Sequence, residues 1–263
     1  MHTDRPSATA LPRGGQIVPY PEPGCGRCKL RQACLPGALG AAELAHFEQI
    51  VTQRRRVARR ATLFQAGEPG TKVYVLRLGH FKTYALDECA ERHVTGFQMA
   101  GDLLGLDAIA GGAHRFTAVA LEDSEVCEIP RLELDAFMAQ APSVMDKFHQ
   151  VLGGELVDSK LAGVLLAGAR SERRFAAFLL RLSQRYAALG YAPNVFQLRM
   201  SRGDIGSYLG FSAEGLSRMI ARFRQLGWIG VKRRTVEIFQ RADLEAFALG
   251  TPSQAGARNR IKF

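Results

Sequence analysis

The sequence predicts an α+β chain with an N-terminal β-roll of jelly-roll type, a long helix and a C-terminal winged helix-turn-helix. Three observations carry that expectation. Short β-type runs recur between glycines from residue 62 to 129, and apolar residues repeat at 4-3-4-3 spacing from Ser143 to about Ala167. After residue 200, two short helical patterns meet at a glycine and lead into a basic hairpin. The expected order is a disordered arm over 1–20, a cysteine-bearing loop plus β-roll sensor domain over 21–140, and the long helix over 141–168. The winged helix-turn-helix follows over 169–245, its two helices at about 201–223, and a flexible basic tail over 246–263, with Arg258, Arg260 and Lys262, ends the chain.

The first element is a loop. Cys25-Gly-Arg-Cys28-Lys-Leu-Arg-Gln-Ala-Cys34 gathers three of the five cysteines. A C-x2-C-x5-C run with one more cysteine far away is the spacing of a four-thiolate metal or iron-sulfur site, because a short loop wraps three sulfurs around one face of a centre. The fourth sulfur comes from Cys89 or Cys127. Cys127 is preferred, since Glu125-Val-Cys-Glu-Ile129 reads as a strand that would hold a thiol rigidly. Cys89 sits in the polar run Asp87-Glu-Cys-Ala-Glu-Arg92, which reads as a hairpin tip with an incidental exposed thiol. Disulfides are disfavoured: 263 residues bury a sufficient core without them, and an odd cysteine count leaves one unpaired. Residues 1–24 lack the apolar core of an export leader, and the run Leu161–Ala169 is too short to span a bilayer. The expected place is therefore the cytoplasm, with no membrane partner, where thiols stay reduced and clustered cysteines serve metal or redox chemistry.

The β-roll is read from Thr62–Gly70, Val73–Tyr84, His93–Phe97 and Thr117–Ile129. No phosphate-binding loop or acid/base constellation accompanies it, so no enzyme is expected. In the long helix, Ser143 is read as N-cap, with Asp146 at the third helical position. Met145, His149, Leu152, Leu156, Ser159, Gly163 and Leu166 then form a coiled-coil seam, the expected dimer interface. His149, Ser159 and Gly163 weaken a seam that an ordinary dimer fills with Leu or Ile.

Charge separates the halves. From Arg170 onward the chain has 17 Lys+Arg against 6 Asp+Glu, a net of +11, while the whole chain carries +10. An excess confined to one end is the footprint of a phosphate-binding module. Within it Ser201 caps a short helix with Asp204 in a capping-box position, Ile205, Tyr208 and Leu209 face inward, and Gly210 ends it. Ser212 opens a second helix with Leu216, Met219, Ile220 and Phe223 on one stripe. Glu214, Ser217 and Arg218 fall largely off the stripe and suit base edges: Arg218 for guanine, Glu214 for a cytosine amino group, Ser217 for a neighbouring edge. Arg202, Arg222, Lys232, Arg233 and Arg234 suit phosphates. Trp228–Phe239 reads as a hairpin with a basic tip, the wing. Gly215, inside the second helix, costs about 1 kcal/mol relative to alanine, and close approach of backbone to DNA is one reason for it.

Together these runs resemble the Fnr regulators of the Crp/Fnr superfamily over roughly residues 20–245. The likeness rests on the cysteine run, on Thr95-Gly-Phe and Ala100-Gly-Asp-Leu-Leu-Gly-Leu-Asp-Ala-Ile109, on Val126-Cys-Glu-Ile-Pro130, and on Ser201-Arg-Gly-Asp-Ile-Gly206 followed by Glu214, Ser217 and Arg218. The resemblance implies a homodimeric transcription activator that senses oxygen through a [4Fe-4S] cluster on Cys25, Cys28, Cys34 and Cys127. Oxygen would convert the cluster toward [2Fe-2S] and release the dimer. The resemblance further implies binding to palindromic double-stranded DNA of TTGAT-type half-sites, and a contact with RNA polymerase for which Glu88–Glu91 is a candidate surface. Family seams often carry an acidic residue where Ser159 stands, so dimerisation here is expected to depend less on the cluster. Cyclic nucleotide is not expected: relatives that bind it carry Gly-Glu and Arg-Ser/Thr-Ala, where this chain reads Gly105-Leu106 and Phe116-Thr117-Ala118, next to His114-Arg115. Two other classes use the same residues, a regulator with zinc or a thiol-redox site on the four thiolates, and an iron-sulfur electron carrier, for which a DNA reader would be surplus.

Overall fold

The computed structural model describes residues 17–18, 24–168 and 170–251. The rest of the expected arm, and the tail beyond Thr251, lie outside them. The chain divides into two compact units, one of residues up to Ala85 with Phe97–Ala141, the other of Leu86–Gly96 with Pro142 onward.

The first unit begins with β1 (Ile17–Val18), two residues of the expected arm that pair antiparallel with Arg55 and Arg54. Three short 3-10 turns follow at Cys25–Arg27, Arg31–Ala33 and Leu35–Ala38, then helix α1 (Ala41–Ile50). The strands are β2 (Gln53–Val57), β3 (Thr62–Phe64), β4 (Lys72–Leu78), β5 (His80–Leu86), β6 (Arg92–Met99), β7 (Leu103–Leu104), β8 (Thr117–Ala120) and β9 (Ser124–Pro130). They form two antiparallel sheets, β1-β2-β9-β4-β7 and β3-β8-β5-β6. Leu63, Phe64, Phe81, Ala118 and Ala120 from one sheet and Val57, Tyr74, Leu76, Leu104 and Val126 from the other build one buried cluster. That is a jelly-roll core, and burial of roughly 1.5–3 kcal/mol per large side chain holds it. Helix α2 (Arg131–Gln140) closes the unit, with Leu134 and Phe137 buried.

Period-two alternation decides what β9 presents to each side. Val126 is fully buried in the core, so Cys127, the next residue, points to the opposite face. There the register sets Cys127 between Arg54 on β2 and Val75 on β4.

In the second unit, α3 (Pro142–Gly168) starts with proline in its first turn, a position where the missing N–H is no loss. Ser143 therefore stands inside the helix and not at its cap. Val144 and Phe148 are buried, while Leu156 and Ser159 are exposed. Then come α4 (Ser171–Ala188), β10 (Val195–Gln197), α5 (Arg202–Leu209), α6 (Ala213–Gln225), β11 (Ile229–Lys232), β12 (Thr235–Ile238) and α7 (Arg241–Leu249). The last helix runs four residues past the expected boundary at 245. The wing is the hairpin β11–β12, widened by β10 into a three-stranded sheet in the order β10-β12-β11. Among the described residues no helix is long and apolar enough to cross a membrane.

Candidate metal centre and nucleic-acid interface

The cysteine loop coils by consecutive tight turns. Cys28 N–H donates to Cys25 C=O at 3.1 Å, Arg31 N–H to Cys28 C=O at 3.0 Å, Cys34 N–H to Leu30 C=O at 2.9 Å and Gly37 N–H to Cys34 C=O at 3.1 Å. Glu48 of α1 anchors the start of the loop, its Oε1 accepting from Gly26 N–H at 2.9 Å. Gly24 allows that approach, because a Cβ there would lie 2.4 Å from the same oxygen. Phe47, next to Glu48, is 1% exposed and fixes the helix beneath the loop.

Cys25, Cys28, Cys34 and Cys127 all line one cavity, together with Phe47, Val51, Val75 and Ile129 and with the arginines Arg31, Arg54 and Arg77. None of the four is in a disulfide, and neither is Cys89, which is exposed at the β5–β6 tip. Burial pushes the Cys34 thiol strongly up, and the neighbouring Cys25, Cys127 and Cys28 add to it. Burial likewise pushes Cys127 up to about 11, against the pull of Arg54 and Arg77. Metal ligation displaces such protons, so a buried thiol cluster of this kind is chemically able to take up a cation. Among the described residues no three cysteine sulfurs lie mutually within 4.8 Å; the group of ligand atoms that does is Asp87, Glu91 and His93, exposed at the hairpin tip. Glu88 and Glu91 are exposed at that tip as well.

Charge around the cavity is balanced by Glu125. Arg77 Nη1 donates to its Oε1 at 2.7 Å, and Arg54 Nε lies 4.0 Å from the same oxygen. Burial works against the Arg77 charge, and the Glu125 carboxylate, with Cys28 and Cys127 further off, outweighs it. Buried Arg31 Nε and Arg77 Nε find no hydrogen-bond partner among the described residues.

The other end of the β-roll interior is filled by protein. His114, 4% exposed, stacks on Phe64 at 3.8 Å, and its Nδ1 lies 3.2 Å from Asp107. Asp107 also accepts from the N–H groups of Arg115 and Phe116. Burial raises its pKa, but the bonds from His114 and the two N–H groups outweigh this and leave it below the usual carboxylate range. Gly105 has φ +88°, and a Cβ there would lie 2.9 Å from Lys72 C=O and 3.4 Å from the His114 ring. Thr117 is committed too, its hydroxyl accepting from Ala66 N–H at 3.1 Å. Sequence reasoning noted His114 and missed its partner Asp107, seven residues earlier.

The C-terminal unit places the expected DNA-facing residues on α5, α6 and the wing. Ser201 Oγ accepts from Asp204 N–H at 3.0 Å, and Asp204 returns the bond to Ser201 N–H at 3.2 Å, the capping box of α5. Gly210, at φ +71°, ends that helix, and Ser212 Oγ accepts from Gly215 N–H to open α6. Leu216, Met219, Ile220 and Phe223 are buried, and Glu214 and Arg218 are exposed on the other face. Glu214 is held below the usual carboxylate range by its own backbone N–H and by Ser212, with Arg218 adding its charge. Ser217 is already engaged: its hydroxyl donates to Ala213 C=O at 2.9 Å and accepts from Arg202 at 3.0 Å. Arg222, expected on phosphate, forms an ion pair with Glu172 of α4. Lys232, Arg233 and Arg234 are exposed at the wing, where Arg234 also donates to Arg199 C=O at 3.3 Å. On α3 the seam positions Met145 and Leu152 are half-buried, and His149, Leu156, Ser159 and Gly163 are exposed; the side chain of Leu166 lies outside the described residues.

A jelly-roll domain followed by a winged helix-turn-helix with a polar-faced second helix defines a DNA-binding regulator that carries a sensor domain on the same chain. Residues 54–141 match the family model of the cyclic nucleotide-binding domain, and residues 173–247 that of the Crp-like helix-turn-helix domain. The chain is 41% identical over 214 residues to the transcriptional regulatory protein btr of Bordetella pertussis, covering 81% of this chain and 88% of that protein. It is 38% identical over 214 residues to the fumarate and nitrate reduction regulatory protein of Escherichia coli, covering 81% and 86%. Among solved structures it is similar to FixK2 from Bradyrhizobium japonicum, with a TM-score of 0.67 and 27% identity over 73% of this chain and 94% of that one. The chain belongs to the Crp/Fnr family of transcription regulators, and within it to the Fnr type.

Proposed function

We propose that this regulator senses oxygen through a [4Fe-4S] cluster on Cys25, Cys28, Cys34 and Cys127, and binds palindromic DNA of TTGAT-type half-sites as a homodimer. The observation that carries the reading is the single cavity lined by all four cysteines, three from a loop and one from a strand far along the chain. The donor set fits. Four cysteines outside any disulfide supply the ligands, and the arginines beside them supply counter-charge and, in Arg31 Nε and Arg77 Nε, buried donors without a partner among the described residues. A bound cluster would supply an oxygen-labile link between loop and strand. The protein's own residues do the rest: Glu48 and Phe47 seat the loop, and the interrupted seam of α3 leaves pairing weak enough to be controlled. Glu214, Ser217 and Arg218 face base edges, and Arg202, which also donates to Ser217, contacts phosphate together with Lys232, Arg233 and Arg234. Buried His114 is engaged with Phe64 and with Asp107, beside the Phe116-Thr117-Ala118 run that lacks the charged clamp of nucleotide-binding relatives, which supports a β-roll that reads no nucleotide. Glu88–Glu91 is the surface offered to RNA polymerase, and the cytoplasm is where such a protein works.

The test is an anaerobic preparation with visible absorption that bleaches in air, read beside a footprint on the palindrome. Cys127→Ala is expected to abolish both the absorption and the footprint. A colourless, zinc-loaded wild type, or a Cys127→Ala variant with unchanged spectrum and binding, would overturn the assignment.

A further inference from the structure

Three arginines line the cavity of the four cysteines: Arg54 Nε faces Glu125 at 4.0 Å, and the Nε donors of the other two have no such carboxylate in front of them among the described residues. Arg31 Nε and Arg77 Nε are buried and without hydrogen-bond partners among the described residues, and both side chains line the cavity of the four cysteines. Neither guanidinium is loose. Arg31 Nη2 donates to Leu39 C=O at 2.8 Å, and the Arg31 backbone lies between two cysteines, donating to Cys28 C=O and accepting from Cys34 N–H. Arg77 Nη1 is held by Glu125 at 2.7 Å. With the far ends tied, each remaining Nε–H is a donor of fixed direction, because the guanidinium fork is planar. A buried donor left unpaired destabilises the fold unless a bound group accepts from it. The four cysteines share this wall with both arginines, so a sulfur-bearing group held by them would offer the acceptors that the two donors lack.

We infer that Arg31 and Arg77 donate from Nε to sulfur of the centre held by Cys25, Cys28, Cys34 and Cys127, and so set how readily that centre loses an electron to dioxygen. This rests on the cluster reading above. Hydrogen bonds to sulfur stabilise the electron-rich state, as does the positive charge behind them, so both arginines raise the potential and slow oxidation. Arg31 lies inside the C-x2-C-x5-C run itself, which makes the ligand loop its own tuning element.

The test uses lysine, which keeps the cation and can still reach Leu39 C=O or Glu125 but has no donor at the Nε position. The full-length wild type is prepared anaerobically first; if it carries no cluster, the underlying reading fails before any variant is made. Given a cluster, Arg31→Lys and Arg77→Lys should load it to the wild-type level and bleach in air several-fold faster, the double variant fastest. In resonance Raman spectra the Fe–S stretching bands of wild type should shift in D2O, and the double variant should lose part of that shift. Unchanged bleaching and an unchanged D2O shift in the double variant would overturn the inference. So would variants that fold, by circular dichroism of the apoprotein, yet take up no cluster, since the arginines would then be loop anchors only.

Discussion

At the scale of single residues, free and committed side chains separate reading from support. Ser217 has spent its one proton on Ala213 C=O, so it can only accept from a base or be a spacer, while Glu214 and Arg218 are exposed at the same face. Arg222 is balanced by Glu172, and its charge serves the packing of α4 on α6. Gly215 has room to be something larger. A Cβ there would meet Ser212 Oγ at 3.4 Å and Arg218 Nη2 at 4.0 Å, ordinary contacts, and its φ does not require glycine. Packing within the protein therefore does not explain it. Gly215→Ala should raise stability by up to about 1 kcal/mol, as alanine does for glycine in a helix interior, while weakening operator binding if DNA backbone approaches there. Thermal unfolding and fluorescence anisotropy on the operator read the two effects separately; unchanged affinity would remove Gly215 from the interface.

At the scale of elements, α3 carries the clearest expectation. Leu156 is 56% exposed on a helix whose neighbouring face already buries Val144 and Phe148, so the apolar seam has unspent surface. Burying a leucine contributes about 1.5–3 kcal/mol, so Leu156→Glu should weaken dimerisation more than tenfold and leave the fold of each chain intact. Anaerobic analytical ultracentrifugation checks the first and circular dichroism the second. Ser159→Leu should act the opposite way and allow dimers of metal-free protein. The same comparison shows what was legible in the sequence. Helices α5 and α6 could be read because their ends are local chemistry, Ser201 with Asp204, Gly210, and Ser212. The place of Cys127 on a strand could be read because apolar and β-branched residues surround it, and the structure sets it in one cavity with Cys25, Cys28 and Cys34. Helix α3 starts two residues before the place that a Ser143 cap implies, because a proline also suits a first turn. Other features are settled only by distant partners: β1 exists by pairing with β2, β10 by pairing with β12, and Arg222 meets a glutamate 50 residues earlier. No local pattern encodes them.

At the scale of the whole chain, the charge excess beyond Arg170 becomes a count of cations that face DNA. Of the arginines and lysines expected on phosphate, Arg222 is paired with Glu172, which leaves Arg202, Lys232, Arg233 and Arg234 in each copy. With four phosphate contacts per chain, a dimer on a palindrome should show log K falling against log salt with a slope of about −7, and a single chain on a half-site about −4. The slope thus reports assembly without measuring mass. Loss of the metal centre by air or chelation should halve it, because one chain then binds where two did. Arg222→Ala should leave it unchanged, and Arg233→Ala should reduce it by about 2 per dimer. Anisotropy titrations between 50 and 300 mM salt, roughly the range in which counterion release dominates, measure all three. A slope that stays near −7 in the metal-free protein would mean that the α3 seam, with Ser159 in it, holds the dimer without help from the cysteines.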